Sequence, residues 1–562
     1  MEVDKQSSTF GAVKSDDNCS LDLELPESDS LFDRKKILLQ KKGFNTKEEI
    51  HLKSSSDPDL IMTSLKIMLQ IARIINFDEV ELYFWEDDTS STVDLYSPRN
   101  EVVALNSILR LVENSLDGQT QIQKNILQEL RNAVVDMIGN CSDANSIKSV
   151  IVEDHSCDKE KCLVQWGEDN GMRSRLRIAY VEGAGRGAIA REDLKAGDTA
   201  LEIPTSLIIS EELMKKSDMY QILEKRNEMS SETMLLLWSM KEKYNNNSRF
   251  KNYFDTLPEE FHTGLSFGVE AFMVLGDTVL MEEIIQAKEH LQVQYNQLVP
   301  PLCNEHPDIF PPELYTWEQF LWACELWYSN SMKIMFPDRE LRTCLVPVAG
   351  FLNHSLSPHV ISYGKVDSTT DTLKFCLSRP CRAGEECFLS YGNFSSSHLI
   401  TFYGFVPKGD NPYDIIPLEL EGDEGDFDEN SHISSVTTHM ARGTWFSKNH
   451  DIFHYGLPSP LLDYFRRAQN PMPFSKTLVQ ENLENEIEIL EQLHLNFLDM
   501  MEKLGEAELD DRENTRWDVK LAIESKDIQR RIVSSILTSC SSGIDLLKDN
   551  LCRCMAAQDT SG

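Results

Sequence analysis

Two Tyr-Gly pairs stand twelve residues apart, Tyr391-Gly392 and Tyr403-Gly404, and the first closes the stretch Glu386-Cys387-Phe388-Leu389-Ser390. A tyrosine hydroxyl can hold a reacting group without introducing a fixed charge. That suits in-line transfer of a methyl group, which needs a neutral nucleophile, a dry aligned channel and oxygen acceptors around the moving carbon. Two core tyrosines beside turn glycines would give the same pattern. Upstream, Asn353-His354-Ser355 follows the apolar run that starts at Pro347. Side chains so placed need partners once buried. An adenine ring with an amino-acid moiety could supply them, and so could a capped turn. A third group is Gly183-x-Gly185-x-Gly187. It lacks the dinucleotide-binding spacing, and no Lys-Ser/Thr of a phosphate loop follows. Such a turn lets backbone groups approach a ligand closely; it equally serves as a plain tight turn.

These groups need a frame. Leu163–Gly167 and Leu176–Val181 read as alternating strands, and another strand ends at Ala200-Leu201-Glu202-Ile203-Pro204. Residues 211 to about 338 read as a helical insert anchored by Trp238, Trp317, Trp322 and Trp327. Short strands return from Leu341 to Val406. Strands, helices and strands in that order predict an α+β domain over residues 158–408. Before it, Ser56-Asp57-Pro58 offers an N-cap and a first-turn proline. Apolar residues at helical steps then predict an all-α unit over 57–157. Residues 1–56, rich in Ser, Asp and Lys, are expected to be disordered. An acidic connection is expected over 409–458, with Glu419, Glu421, Asp423 and Glu424 in it. Leu483, Ile487, Leu490, Leu493, Phe497 and Met501 mark an all-α domain over 459–555.

The bulk properties narrow the partners. The net charge of −37 repels nucleic acid phosphates, so no nucleic acid partner is expected. A basic protein partner suits such a surface, although solubility alone also explains it. The 13 cysteines are scattered, which fits a reducing compartment better than a disulfide framework, and no metal site is expected. No apolar run reaches the charge-free length of a membrane span. The acidic start, with Glu2, Asp4, Asp16 and Asp17, reads as neither secretory signal nor transit peptide. A monomer in the cytoplasm and/or nucleus is the expectation.

Taken in order, the three groups resemble those of the SET-domain protein methyltransferases. The branch that the chain resembles is typified by the Rubisco large-subunit lysine methyltransferase, and the resemblance covers roughly residues 160 to 545. It implies a SET-type β-fold with a threaded, knot-like core, a long helical insert and a C-terminal helical substrate-binding domain. It implies S-adenosyl-L-methionine as cofactor, held by Gly187, Ala188, Glu202, Ile203, Asn353, His354 and Tyr391. Tyr391 takes the catalytic position, and Tyr403 with Asn330 the substrate side. The implied function is protein-lysine N-methylation of a non-histone protein, with histidine methylation or a catalytically weak adaptor as alternatives. Two positions depart from the family pattern. Asn330 stands where arginine is usual, and Gly350 where aspartate is usual before Asn-His. Loss of both could be one exchanged ion pair, with Arg339 or Arg342 as candidate replacement charges.

Overall fold

The computed structural model describes residues 18–53, 58–85, 98–116, 119–144, 149–152, 155–226, 229–361, 363–420, 437–443, 449–470, 474–505 and 515–559. The chain forms two compact units, residues 1–82 with 91–144 and residues 83–90 with 145–562. Among the described residues no single helix is long and apolar enough to cross a membrane.

The first unit departs from the expectation of disorder before residue 57. β1 (Asn18–Glu24) and β2 (Lys47–Lys53) pair antiparallel, with α1 (Phe32–Lys41) between them. Cys19, Leu21, Leu23 and Leu52 are buried, while the residues between them point out. This period of two is what burial of one sheet face requires. The unit is thus mixed rather than all-α. Its helices include α2 (Pro58–Ile75), α4 (Pro98–Asn114) and α5 (Gln121–Ala144), with α3 (Glu79–Trp85) spanning the division. Leu65, Met68, Leu105, Val112, Leu130 and Val134 close its core. Arg73 meets Glu101 through two hydrogen bonds of 2.6 and 2.8 Å, which fixes α2 against α4.

The second unit opens with α6 (Asp158–Asp169), where the sequence reading placed a strand. Leu163, Val164 and Gly167 fall on one buried helical face together with Glu160. A short apolar run cannot tell helix from strand by period alone. β4 (Leu176–Val181) and β5 (Gly185–Ala190) then form a hairpin. β3 (Arg173–Ser174), β6 (Thr199–Pro204), β10 (Thr372–Cys376) and β9 (Val366–Asp367) make a four-stranded sheet in the order β3-β6-β10-β9.

The helical insert carries α7 (Glu211–Met214), α8 (Tyr220–Leu223), α9 (Ser231–Glu242), α10 (Lys251–Phe254), α11 (Val269–Leu275), α12 (Val279–Glu305) and α13 (Trp317–Asn330). Its helices stop at Asn330, before residue 338, because β7 (Ser331–Met335) turns back on β8 (Leu341–Leu345). Trp322 and Trp327 bury their rings and donate to Pro258 O and Ser239 Oγ.

The segment 386–391 is threaded. On one side of Leu389 its N–H donates to Asn353 O, and its carbonyl accepts from Ser355 N–H. On the other side, Val360 N–H donates to Phe388 O and Ser390 N–H donates to Val360 O. The strand therefore runs between the two arms of the loop 353–360, an arrangement rare among folds. It leads to α14 (Ser396–Tyr403), which Asp414 anchors by accepting from Ser396 N–H and Oγ at 2.6 and 2.8 Å.

β11 (Ile416–Leu420) and β12 (Thr437–Ala441) pair across the expected acidic connection, whose residues 421–436 lie outside those described. α15 (Ser459–Gln469), α16 (Gln480–Leu504) and α17 (Trp517–Asp559) then share a core with Leu461, Leu490, Leu493, Phe497, Val533 and Ile536. Within it Arg466 forms two hydrogen bonds to the buried Glu486, which also accepts from Tyr455 OH at 2.8 Å.

α14 ends on Gly404, with φ 77° and ψ 31°. A Cβ there would fall on the carbonyl oxygen of His262. Gly404→Ala is expected to cost more than about 2 kcal/mol, from left-handed strain plus the clash. Thermal unfolding of the full chain checks this; an unchanged Tm would show that the turn can rebuild.

Candidate functional site

A cavity of about 450 Å³ opens where the hairpin turn, the threaded segment and the end of α14 meet. That volume lies within the range of small-ligand pockets, about 300–1,000 Å³. Its walls are Gly183, Ala184, Gly185 and Arg186 from the turn, Asn330 from the end of α13, Phe351, Asn353 and His354 from the loop, Glu386, Phe388 and Tyr391 from the threaded segment, and Tyr403 and Phe405 beyond it.

The polar wall is wired through one carboxylate. Asn353 Nδ2 donates to Glu386 Oε1 at 2.8 Å and to the Arg186 carbonyl at 3.1 Å. Glu386 is buried, and its Oε2 accepts from Ser149 Oγ. The carboxylate also explains Gly187: a Cβ there would meet Glu386 Oε1 at 2.5 Å. Arg186 keeps its guanidinium on Glu160, at 2.6 Å, and over the Phe351 ring, 5.2 Å from its centroid. The turn therefore borders the cavity beside a cation that is already paired.

The aromatic wall is built around Tyr391. Its ring stacks on Tyr403, centroids 5.1 Å apart, and meets Phe405 edge-on at 6.2 Å. Tyr391 OH donates to Leu352 O at 3.1 Å, while its N–H donates to His354 Nδ1 at 3.1 Å. Burial, with Tyr403 and Tyr363 nearby, raises the Tyr391 hydroxyl pKa, and burial lifts that of Tyr403 to about 12. Both hydroxyls stay neutral at physiological pH. Both rings also border a second, small cavity of about 30 Å³ lined by Ser329, Ser331, Leu352 and Tyr363. The tyrosine pair thus stands between two spaces. Such a wall can hold a group entering from one side against a ligand on the other.

Of the residues expected from the sequence, Asn330, Asn353, His354, Tyr391 and Tyr403 come together on the cavity. Gly187 and Ala188 lie just beyond it in β5, and the Ala188 carbonyl accepts from Cys387 N–H at 2.7 Å. Glu202 and Ile203 are not among its lining residues. Glu202 sits on β6, where it accepts from Thr372 Oγ1 and pairs with Arg173 and Lys374. Ile203 is fully buried in the core. The motif Leu-Glu-Ile-Pro marks a sheet strand, and the turn one hairpin earlier supplies the ligand wall. Neither Arg339 nor Arg342 lines the cavity. Arg342 is held by Asp338, Glu340 and Glu211 instead.

The two departures face each other. A Cβ on Gly350 would lie 3.2 Å from Asn330 Oδ1. Asn330 turns its amide to Ser329 Oγ at 2.8 Å. The preceding Val348 holds φ 70° and ψ −43°, the strained γ-turn region, which is costly for a β-branched residue. Sequence reasoning missed Glu386 and Ser149. The first was one acid among neighbouring acids, and the second had no signal at all.

Behind the threaded segment, ligand-type atoms of His359, Cys381 and Cys387 lie within 4.8 Å of one another. His359 Nδ1 accepts from Phe388 N–H at 3.0 Å, so the ring proton belongs on Nε2. Burial and Arg379 keep that ring neutral, while the neighbouring Cys381 and burial hold Cys387 as a thiol. Without an ion these three side chains are a neutral cluster within the core.

Residues 185–392 match the family model described as SET domain, and residues 26–136 match that described as Rubisco LSMT substrate-binding. The second match falls on the first unit, not on the C-terminal helices 459–555. The Rubisco large subunit N-methyltransferase of Pisum sativum is 24% identical over 337 residues, covering 58% of this chain and 66% of that one. The actin-histidine N-methyltransferase of Gallus gallus is 23% identical, covering 48% of this chain and 46% of that one. This chain thus spans roughly half to two thirds of the length of these relatives. A crystal structure of the SET domain of LSMT bound to lysine and AdoHcy shares the fold. It aligns with a TM-score of 0.52 and 18% identity, over 70% of this chain and 93% of that one.

Two predictions follow the geometry. Asn330→Arg and Gly350→Asp are each expected to destabilise, and their combination to be more stable than the sum by about 1 kcal/mol or more, because the two side chains meet. A double-mutant cycle by denaturant unfolding measures this; strict additivity would mean that they do not pair. One turn before Ser329, the buried Glu325 accepts from Thr263 and Ser266 Oγ, both at 2.7 Å, yet burial raises its pKa from 4.5 to about 7. A carboxyl raised on folding stabilises fully below its unfolded value and loses that contribution as pH rises through its folded value. Between pH 8 and pH 5 the wild type should therefore gain up to about 3 kcal/mol relative to Glu325→Gln. A pH-independent difference in unfolding midpoints would contradict it.

Proposed function

We propose that this chain, a member of the SET-domain methyltransferase family, methylates a side-chain nitrogen of another, non-histone protein, with lysine as the target. The observation that carries the reading is the Tyr391–Tyr403 pair, standing between the donor-sized cavity and the small cavity behind it.

The cavity fits S-adenosyl-L-methionine in kind. The backbone of the 183–186 turn and the carboxamide of Asn353 offer polar contacts, and Phe351, Phe388 and Phe405 offer apolar ones. When bound, that cofactor supplies an electrophilic methyl on a sulfonium. Asn353, fixed by Glu386 and by the Arg186 carbonyl, would hold its polar end; the turn backbone would flank it. Lysine binds a proton with a pKa near 10.4 in water and must lose it before it can attack. The stacked rings of Tyr391, Tyr403 and Phe405 exclude water, which lowers that pKa. Tyr391 OH, neutral and tied to Leu352 O, would orient the free amine without adding charge. Leu352 O and the hydroxyl supply oxygen acceptors near the moving methyl.

The match of residues 26–136 to a substrate-binding family supports a protein substrate and suggests the first unit as its docking element. The helices of 459–555 are a second candidate. Histidine is the other target to consider, favoured by the likeness to the actin-histidine N-methyltransferase.

Tyr391→Phe is expected to lower methyl transfer at least about 100-fold while donor affinity changes little. The assay is labelled-donor methylation of a cell extract by both proteins, followed by mass spectrometry of the modified residue. Equal labelling by the variant would refute the role of Tyr391; label on histidine would move the target to the second reading.

A further inference from the structure

Residues 149–152 lie before the SET match, between the end of α5 and the start of α6, yet the first of them, Ser149, lines the cavity. Val152 N–H donates to Tyr180 O and Glu182 N–H donates to Val150 O, both at 2.9 Å. Ile151 bridges Val181 in antiparallel register. The segment is therefore an extra strand on β4, at the edge that β5 leaves open. Ile151 packs against the small core of Ala179, Val181 and Ile189, which fixes the strand along the sheet. The strand delivers Ser149 to the cavity wall, where its Oγ donates to Glu386 Oε2.

That bond is half of what holds Glu386. The other carboxylate oxygen accepts from Asn353 Nδ2 at 2.8 Å, and the same amide reaches the Arg186 carbonyl at 3.1 Å. The relay runs from the strap through Glu386 to Asn353 and the hairpin turn, and every member lines the cavity. With one oxygen tied to Ser149, the carboxylate cannot rotate away, and Asn353 keeps one amide orientation. Without Ser149 the buried carboxylate lacks that donor and is free to turn.

We infer that Ser149 is a positioning residue of the methyl-donor pocket, and that the strap 149–152 is a working part of that pocket. This rests on the reading of the cavity as the donor site.

The test is calorimetric binding of S-adenosylmethionine to the full chain, with thermal unfolding measured alongside. Ser149→Ala is expected to weaken donor binding about tenfold with a modest fall in Tm from the unsatisfied carboxylate, and Ser149→Thr to restore both. Val152→Pro, which removes the N–H given to Tyr180, should weaken binding similarly by releasing the strap. With the assay for transfer, donor KM should rise in Ser149→Ala while kcat at saturating donor is retained. If the wild type binds and Ser149→Ala binds equally well, this inference alone falls. If affinity and Tm drop together and threonine does not rescue, the strap is merely structural and the inference again falls. If the wild type binds no donor, the functional reading fails and takes this inference with it.

Discussion

The hydrogen bond between Asn353 Nδ2 and Glu386 Oε1 joins the two segments on which the site depends. Asn353 belongs to the loop that encircles the threaded strand, and Glu386 to that strand itself. Their bond closes the loop against the strand at the point where both meet the hairpin turn, through the Arg186 carbonyl. A buried carboxylate is costly unless its oxygens are satisfied. Here the two donors come from separate stretches of chain, Asn353 in the loop and Ser149 far upstream, so Glu386 finds its partners only when both are in place. The strand that starts at this carboxylate ends at Tyr391, whose N–H is caught by His354, the residue after Asn353. The donor wall and the tyrosine wall are therefore positioned by one threading event.

The same logic recurs at the edges of the site. Arg186 points its backbone at Asn353, but commits its guanidinium to Glu160 and the Phe351 ring. Spending the charge there leaves the turn as a lining of neutral backbone. A pocket lined this way contacts a charged ligand through dipoles that are already aligned, which costs little reorganisation. Val348 carries the strain of the sharp turn into Gly350, and the packed residues around it must over-determine that conformation.

How much was legible in the sequence follows from the kind of signal each feature leaves. The long helices were readable because their apolar stripes persist over several turns; the stripe from Leu483 to Met501 lies wholly within α16. The tyrosine pair and Asn353-His354 were readable as ordered motifs, and they do converge on one cavity. Leu163–Gly167 was misread because five apolar-rich residues fit either period. β1 was missed because its inward Cys19, Leu21 and Leu23 alternate with Ser20 and Asp22 in a stretch that looks merely acidic. Glu202, expected at the pocket from the family resemblance, does not line the cavity; its partners Arg173, Thr372 and Lys374 are set by sheet pairing that spacing does not encode. Ser149 was invisible, since its role comes from an edge strand that reaches across to residue 386.

The unusual pair at 330 and 350 can be placed on the same footing. Its two positions touch, as an exchanged ion pair would require, and the exchange leaves an amide opposite a glycine. Removing both charges avoids an uncompensated one in a half-enclosed wall, so the fold itself loses little. Asn330 and Gly350 line both cavities, as Tyr391 and Tyr403 do, so a change there alters the space and charge of the wall that the two share. The two departures are thus one local feature of the cavity wall, an amide facing a glycine, and the threaded segment beside them keeps its hydrogen bonds.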